Sequence, residues 1–195
     1  MTNLEYFKGD ELASNVWFTK YKLGNELTPK DMHIRLAYEF EKIESKYNKN
    51  IDKSELPLST YGKERENLTS DRIFNLFNEF KYIVPGGSVM AGLGSNSPVS
   101  LSNCFVLPSP KDSISSIFDT ARDMAQIYKK RGGVGLDISE LRPNGAVVHN
   151  AASTSTGSVS FMRLYSTVTE IIGQSGRRGA LMLSIDIRHP DVIDF

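Results

Sequence analysis

Glycine is unevenly distributed along this chain of 195 residues, and its distribution constrains what each part can fold into. Gly9, Gly24 and Gly62 precede residue 84, whereas the other 12 of the 15 glycines follow it. A glycine inside a helix costs about 1 kcal/mol relative to alanine, so the glycine-poor, charged first part favours helices. We predict a helical N-terminal domain over residues 1–83 and a second domain over residues 84–195, with the boundary near Tyr82 to Gly87.

The first part carries apolar residues at helical spacing. Asp10 to Tyr21 is predicted to form one helix, and Thr28-Pro29-Lys30-Asp31 begins another because proline suits the first helical turn. The second helix repeats apolar side chains at Met32, Leu36, Phe40, Ile43 and Tyr47. Ser70 is predicted to cap a third helix, which buries Ile73, Phe74, Phe77 and Phe80.

The second part alternates between short apolar runs and helical patterns. Predicted strands cover Leu101 to Leu107, Val134 to Ile138 and Ala180 to Ile187. Between them lie two predicted helices, capped by Asp112 and by Ser158. The order strand, helix, strand, helix, strand indicates an α/β arrangement.

Composition excludes several classes of protein. Lys plus Arg equals Asp plus Glu, at 23 each, so nothing predicts a nucleic-acid or polyanion surface. No apolar run approaches the roughly 20 residues of a membrane span, and the N-terminus lacks the pattern of a signal peptide. His33, His149 and His189 show no metal-ligand spacing with each other or with Cys104, so no metal site is predicted. His189 precedes Pro190 and is interpreted as structural.

The only cysteine lies in the run Ser102-Asn103-Cys104-Phe105-Val106-Leu107-Pro108. One interpretation is core packing, since a lone cysteine is most often a small buried hydrophobe. The other is a redox thiol that faces a cavity. Ser102 and Asn103 are polar in an apolar run, and burying them without partners would cost about 1–3 kcal/mol each. A ligand-facing strand end therefore fits this run better than a plain core.

Two glycine-containing segments follow the cysteine. In Lys130-Arg131-Gly132-Gly133-Val134-Gly135 the glycines either end a helix or let the backbone approach a ligand closely. The spacing is neither that of a dinucleotide-binding fold nor that of a P-loop. In the segment from Gly173 to Gly179, Arg177-Arg178 are either solvated or contact a phosphate or base in a loop that reorders on binding.

In their order and spacing, these three segments resemble the front part of the catalytic subunit of ribonucleotide reductase, which makes deoxyribonucleotides by radical chemistry. The resemblance extends throughout residues 82–195 and is looser over residues 1–81. It implies an α/β fold, in which a helical N-terminal domain is followed by the first strands and helices of a ten-stranded α/β barrel. The barrel would be incomplete in this chain.

The resemblance implies a substrate site around the cysteine. Cys104 matches the first of the family's two internal redox cysteines, which reduce the substrate ribose as a dithiol. Ser102 and Asn103 match the polar pair that lines the substrate site. Gly133 matches a glycine whose backbone approaches the ribonucleotide substrate.

The resemblance also implies a specificity site for a dNTP or ATP effector. Asp112, followed by Ser113 and Ile114, matches its start, where the carboxylate meets the ribose hydroxyl. Arg142 matches an arginine that binds the effector phosphates, and His149 stands where many members have a second basic residue, arginine. The loop that passes effector identity to the substrate base is matched by Gln174, Ser175, Gly176, Arg177, Arg178 and Gly179.

Several parts of the family's chemistry have no match in these residues. They are the thiyl-radical cysteine with its asparagine and glutamate, the redox partner of Cys104 and the C-terminal cysteine pair. We therefore expect a fragment or one piece of a split enzyme, which is inactive alone. The single cysteine suits a reducing cytoplasm, and the expected location is cytoplasmic.

The resemblance further implies the cofactors and partners of the whole enzyme. This segment is expected to bind no cofactor, whereas the whole enzyme would use adenosylcobalamin or a metal-bearing, radical-generating partner subunit. Expected partners are a ribonucleoside di- or triphosphate substrate, the remainder of the catalytic subunit, a second copy in a homodimer, and thioredoxin or glutaredoxin. Two alternatives stay open: a catalytically inactive nucleotide-binding module on the same scaffold, and an unrelated α/β interaction protein.

Overall fold

The computed structural model describes residues 1–48, 59–64, 66–172 and 179–195. These residues form two compact units, Met1–Ser97 and Pro98–Phe195. Among the described residues, none of the helices combines the length and the apolar character needed to cross a bilayer.

The first unit is helical, as predicted. Its helices are α1 (Asn3–Tyr6), α2 (Glu11–Lys20), α3 (Pro29–Asn48), α4 (Thr60–Glu64), α5 (Ser70–Phe77) and α6 (Gly87–Gly92), with a 3-10 turn at Asn78–Phe80. Its core contains the buried side chains of Trp17, Met32, Leu36, Ile73 and Phe77. Helix α3 therefore buries the first part of its predicted apolar face, at Met32 and Leu36 and partly at Phe40, whereas Ile43 and Tyr47 are exposed.

The cap of α5 lies one residue before the predicted one. The Thr69 hydroxyl accepts a hydrogen bond from the backbone N–H of Arg72 at 3.4 Å, and Ser70 is the first helical residue. The prediction of Ser70 was wrong because two hydroxyl residues are adjacent, and only the extended backbone of Thr69 lets its side chain reach the free N–H groups.

Arg35 ties helix α6 to the first unit. Its guanidinium donates to the carbonyl oxygens of Met90, at 2.9 Å, and of Leu93, and to the Glu26 carboxylate at 2.6 Å. Residues 87–93 thereby belong to the first unit. This unit ends at Ser97, whereas the sequence suggested a boundary near residues 82–87. The assignment of domains to residues 1–83 and 84–195 stays a prediction.

The second unit alternates strands and helices in the predicted order. Its elements are β1 (Cys104–Val106), α7 (Ile114–Lys129), β2 (Gly133–Asp137), α8 (Ser158–Ile171) and β3 (Leu181–Ser184). The strands form one parallel sheet in the order β1-β2-β3. Each parallel connection contains a helix, as the geometry of parallel pairing requires. The strand ends differ from the predicted runs, most of all at the start of β1, which begins at Cys104 instead of Leu101, and at the end of β3, which ends at Ser184 instead of Ile187.

Both helix caps predicted in the second unit were wrong by one residue. The hydroxyl of Ser113, not the carboxylate of Asp112, accepts from the backbone N–H of Ser116 at the start of α7, at 3.3 Å. Gly157, with φ 84°, precedes α8, and Ser158 is its first residue. In each case the predicted side chain is engaged in a contact distant in sequence: Asp112 with Arg142, and Ser158 with Asp191.

The two faces of the parallel sheet differ in burial. Val134 and Leu136 of β2 point into the core that α7 and α8 form, where Met124, Tyr128 and Tyr165 are fully buried. Successive strand residues point to opposite faces, so Gly133, Gly135 and Asp137 belong to the other face, which we call the open face.

Candidate functional site

Cys104 lies on the open face, beside Gly133. The two residues are partners across the parallel pairing of β1 and β2. Partners in a parallel ladder project to the same face, so the thiol stands next to a position that has no side chain. This is the neighbour that the sequence led us to expect, although Cys104 is at the start of its strand.

The Cys104 side chain is exposed, which corrects the expectation of a buried or cleft-bound thiol. The open face around it is apolar and uncovered by the described residues: Val106 is 89% exposed and Met182 is 73% exposed. Parallel sheets occur almost only with both faces covered. The exposure of the thiol therefore follows from the absence of cover over this face within the described residues.

Ser102 and Asn103 are exposed and lie just before β1. The backbone carbonyl of Asn103 accepts from Gly133 N–H at 2.7 Å, which extends the β1–β2 pairing by one step. The backbone N–H of Ser102 donates to the Ser100 hydroxyl at 3.1 Å. Since both side chains are exposed, neither carries the desolvation cost considered from the sequence.

The two glycines before β2 have different reasons to be glycine. A Cβ at Gly132 would lie 2.6 Å from Ile127 Cγ2 and 2.7 Å from the Phe105 ring, so packing within the chain requires glycine there. A Cβ at Gly133 would lie 3.3 Å from Ala180 Cβ and 3.4 Å from Asn103 O, which is tight but not forbidden. Gly133 is itself buried among the described residues, but it presents no side chain next to Cys104.

Helix α7 ends through an arginine in the left-handed conformation. Arg131 has φ 72°, and the N–H of Gly132 reaches back to Ile127 O at 3.1 Å. This hydrogen bond is typical of the Schellman motif, which usually places glycine at the left-handed position. The predicted end of α7 was correct, but the chain reverses at Arg131, which precedes the glycines Gly132 and Gly133.

A cleft of about 490 Å³ opens at the start of α7. The five residues that the sequence assigns to effector binding all line it: Asp112, Ser113, Ile114, Arg142 and His149. Its other lining residues include Ile117 and Phe161 on the apolar side and Asn150, Thr154, Ser155 and Thr156 on the polar side. The fold thus gathers residues from two separate stretches of sequence into one pocket.

Asp112 and Arg142 form an ion pair within this cleft. Arg142 Nε donates to Asp112 Oδ2 at 2.6 Å, and the Arg142 backbone N–H donates to Oδ1 at 3.3 Å. Arg142 Nη1 also donates to the carbonyl of Val147 at 3.2 Å. Both side chains are about one third exposed, at 35% for Asp112 and 36% for Arg142, so solvent and ligands can reach the pair.

The loop after Arg142 forms the far wall of the cleft. Val147 and Thr154 pair as an antiparallel bridge, and the N–H of Val148 donates to Ser153 O at 3.0 Å. His149 is exposed in the turn between them. The polar residues at 150 and 154–156 were missed from the sequence, although the Ser/Thr-rich run before α8 was a signal that could have indicated them.

Asp191 holds this loop against the start of α8. Its carboxylate accepts from Asn144 N–H at 3.0 Å and, at 2.9 Å each, from the Ser158 N–H and hydroxyl. Burial raises the pKa of Asp191, but the hydrogen bonds from Asn144 and Ser158 outweigh it and the pKa is lowered. His189 Nε2 contacts Leu141 O at 2.7 Å and its Nδ1 accepts from Asp191 N–H at 3.1 Å, so the structural interpretation of His189 is confirmed.

The predicted effector-sensing loop falls largely outside the described residues. Gln174, Ser175, Gly176, Arg177 and Arg178 are among those not described. Gly179 is described, and a Cβ there would lie 2.8 Å from Thr169 Cγ2 of α8. The roles assigned to this loop stay predictions.

Comparison with known proteins identifies this α/β unit. Residues 102–195 match the family model described as "Ribonucleotide reductase, barrel domain". Over this segment the chain is similar to the barrel domain of ribonucleotide reductases. The predicted fold class, a helical part followed by the start of the reductase barrel, is thereby confirmed.

Curated relatives are ribonucleotide reductases of several kinds. A vitamin B12-dependent ribonucleoside-diphosphate reductase of Mycobacterium tuberculosis is 36% identical over 127 residues, 65% of this chain and 18% of that protein. One from Thermoplasma acidophilum is 40% identical over 113 residues, 57% of this chain and 14% of that protein. The ribonucleoside-diphosphate reductase large subunit of Caenorhabditis elegans is 32% identical over 124 residues, 63% of this chain and 16% of that protein. The matches thus span less than a fifth of these reductases.

A solved reductase shares the fold. The class Id ribonucleotide reductase alpha subunit of Actinobacillus ureae matches with a TM-score of 0.64 and 22% identity, over 100% of this chain and 31% of that one. At this identity the match concerns the fold alone. Within the reductase barrel fold, the three strands described here supply only the first part of the ten-stranded sheet that the resemblance implies.

Proposed function

We propose that this chain supplies the first part of a ribonucleotide reductase barrel, with one of its two reducing thiols and its specificity-effector site. The observation that carries the proposal is the pairing of Cys104 with Gly133 on the open face of the sheet. A thiol beside a bare backbone, on a face that lacks cover from the described residues, suits a redox group that meets a substrate once the barrel is complete.

The proposed chemistry needs a second thiol. Cys104 and its partner would be oxidised together to a disulfide, delivering two electrons and two protons, while the ribose 2′ hydroxyl leaves as water. A radical on another cysteine would abstract the ribose 3′ hydrogen and later return it. With one cysteine in 195 residues, the partner thiol has to come from further polypeptide, and the chain alone is expected to have no reductase activity.

The proposed effector site is the cleft at the start of α7. Asp112 would accept a hydrogen bond from a ribose hydroxyl, and Arg142 would bind phosphate through charge-assisted hydrogen bonds. His149 and the hydroxyl groups at 154–156 line the same cleft and would extend the contact along the nucleotide. Ser102, Asn103 and Gly133 would contact the ribonucleotide substrate instead.

The source of the radical and the partners are proposals that follow from the family. Some relatives are named vitamin B12-dependent, whereas others carry no such name. Adenosylcobalamin and a radical-generating metal subunit are therefore the two proposed sources, and neither would be held by the residues described here. Thioredoxin or glutaredoxin would reduce the disulfide, a second copy would complete a homodimer, and the reaction would take place in the cytoplasm.

Calorimetry on the chain itself tests the effector site, because all the described residues that line the cleft belong to the second unit. We expect dATP or dTTP to bind, and Arg142→Ala to weaken binding most at low salt, since screening reduces the charge interaction. Arg122→Ala is the matched control: Arg122 is exposed on α7 and pairs with Asp119 away from the cleft. Wild-type binding by Arg142→Ala, or no binding by the wild type, would reject the site.

The redox role is tested in an assembly that contains the rest of the barrel. There, Cys104→Ser is expected to stop turnover of any ribonucleotide while effector binding stays unchanged. Turnover by the 195-residue chain alone, or full turnover by Cys104→Ser in the assembly, would contradict the proposal.

A second candidate is a nucleotide-binding module without reductase activity. The cleft is built entirely within this chain, whereas the second redox thiol is not, and this observation favours the candidate. Both functions predict the same nucleotide binding. They differ in the assembly that contains the rest of the barrel: a reductase turns over ribonucleotides there and loses this activity in Cys104→Ser, whereas a binding module has no turnover in either form.

A further inference from the structure

The carboxylate and the guanidinium that line the cleft are bonded to each other. We propose that Asp112 is a selectivity-determining residue: by neutralising Arg142 it makes the cleft reject anions that lack a hydroxyl-bearing sugar. This inference rests on the proposed function, which places a nucleoside triphosphate in the cleft. It adds a reason why free polyphosphate does not occupy the same place.

The charge of the cleft is balanced before any ligand arrives. Of the described residues that line it, Asp112 and Arg142 carry formal charges at pH 7 when histidine is counted as neutral. With Nε and Oδ2 at 2.6 Å, the carboxylate cancels much of the field of the guanidinium. An incoming anion therefore meets little net attraction.

A phosphate group alone gains little at this pair, because it can use the other N–H groups of Arg142 only while it lies close to the Asp112 carboxylate, which has the same sign of charge. To take the Nε–H of Arg142 it has to displace Asp112, and the displaced carboxylate then faces a second anion. Asp112 has no proton to donate to phosphate, so one ionised group is left without its charge-assisted hydrogen bond. The cost falls on every ligand that brings only negative charge.

A nucleotide can make the exchange because it carries both kinds of group. A ribose hydroxyl donates its O–H to Asp112, while a phosphate oxygen accepts from Arg142. The hydrogen bond from Arg142 Nη1 to Val147 O does not involve Asp112, so it can hold the guanidinium at the cleft during the exchange. In the complex Asp112 is then bonded to the ribose hydroxyl and Arg142 to the phosphate, so both charged side chains keep a hydrogen-bond partner, as they do in the free protein.

The size of the effect is set by the exposure of the pair. Both side chains are about one third exposed, and ion pairs open to solvent contribute up to about 1 kcal/mol, equivalent to roughly a fivefold change in binding. The expected selectivity due to Asp112 is therefore severalfold.

The test compares two ligands on three forms of the chain. Calorimetry measures the Kd of sodium tripolyphosphate and of dTTP for the wild type, for Asp112→Asn and for Asp119→Asn. Asp112→Asn keeps the side-chain shape and removes the charge. Asp119→Asn makes the same change on the same helix, at a residue that pairs with Arg122 at 3.0 Å and does not line the cleft.

We expect the wild type to bind dTTP much more tightly than tripolyphosphate. In Asp112→Asn the ratio of the two Kd values should shrink about three- to fivefold, mainly because tripolyphosphate binds more tightly, and Asp119→Asn should behave as the wild type. If the wild type binds dTTP but the ratio is unchanged in Asp112→Asn, the selectivity role is wrong and the proposed function stands. If the wild type binds neither ligand, the proposed function itself fails.

Discussion

Cys104 and Gly133 are direct partners across the parallel strands β1 and β2, and both lie on the open face of the sheet. The thiol is exposed, and the neighbouring position has no side chain to shield it. This relationship leaves the only cysteine of the chain accessible to molecules in solvent.

We predict that the Cys104 thiol reacts with a disulfide reagent in the folded chain at a rate comparable with that in denaturant, because exposure governs access to the thiol. Gly133→Val should slow the reaction by placing a branched side chain on the same face, one strand away. The measurement is the rate of release of the coloured thiol product.

Gly135→Val is the control for this substitution, since Gly135 lies on the same face but pairs with Val106 instead of Cys104. Circular dichroism establishes that each variant is folded. Equal slowing by both variants, or strong protection of the thiol in the wild type, would show that Cys104 does not stand beside Gly133.

Gly157→Ala should destabilise the second unit by about 2–4 kcal/mol. Its φ of 84° and ψ of 169° lie in a region that is essentially restricted to glycine. A Cβ there would lie 2.8 Å from Asp191 Oδ2 and from the Asn144 backbone nitrogen, which adds a clash at the point that anchors the cleft loop. Urea unfolding measures the loss.

Gly145→Ala provides the comparison for Gly157. Gly145 also has a positive φ, of 79°, but a Cβ there would meet nothing within 4 Å. We expect a loss of about 1–2 kcal/mol, which reflects backbone strain alone. A loss at Gly145 equal to that at Gly157 would mean that contacts with Asp191 and Asn144 do not matter.

Ser113→Ala is expected to lower the free energy of unfolding by about 0.5–2 kcal/mol, because it removes the side chain that caps α7. Asp112→Ala should cost less than about 1 kcal/mol, since it removes only a partly exposed ion pair. Thermal unfolding followed at the helix band compares the two. The reverse order would return the capping role to Asp112, as first predicted from the sequence.

His33 should make the first unit sensitive to acid. The side chain is fully buried, its ring contacts Phe80 edge to face at 4.6 Å, and neither ring nitrogen has a partner among the described residues. Burial lowers the pKa of His33 from 6.5 to about 4. Between these two values the unfolded chain binds a proton that the folded chain does not, so the free energy of unfolding falls as the pH drops from 6.5 to about 4.

The expected decrease is on the order of 1–3 kcal/mol, and His33→Leu should remove it. Met32→Leu, at the neighbouring and equally buried position, should change stability by the same amount at every pH in this range. Urea unfolding at several pH values measures the slope. If His33→Leu retains the slope of the wild type, the acid sensitivity belongs to other groups.

Sequence patterns were sufficient for the elements that depend on local periodicity. The apolar spacing in α3, the alternation of strands and helices after residue 98 and the proline and glycine punctuation each reflect interactions within a few residues, so their order was predicted correctly. The resemblance to the reductase family also named the residues that meet in the cleft, because family motifs carry information about tertiary neighbours that periodicity does not.

Choices between neighbouring residues depended on the tertiary structure. The sequence could not show that Ser113 caps α7, because Asp112 is an equally good cap until Arg142, thirty positions later, takes its carboxylate. Nor could it show that the Phe105 ring requires glycine at position 132, whereas a Cβ at position 133 would be tight but not forbidden.

The exposure of Cys104 is decided in the same way. The residues that follow it, Phe105 to Leu107, are typical of a buried strand, whereas the three-stranded sheet, with one face uncovered by the described residues, leaves the thiol in solvent. By itself the sequence determined the order of elements and the set of chemical groups. The tertiary structure decided which of those groups pair with each other and which remain open, because pairing depends on distances that separate stretches of chain acquire only when they pack.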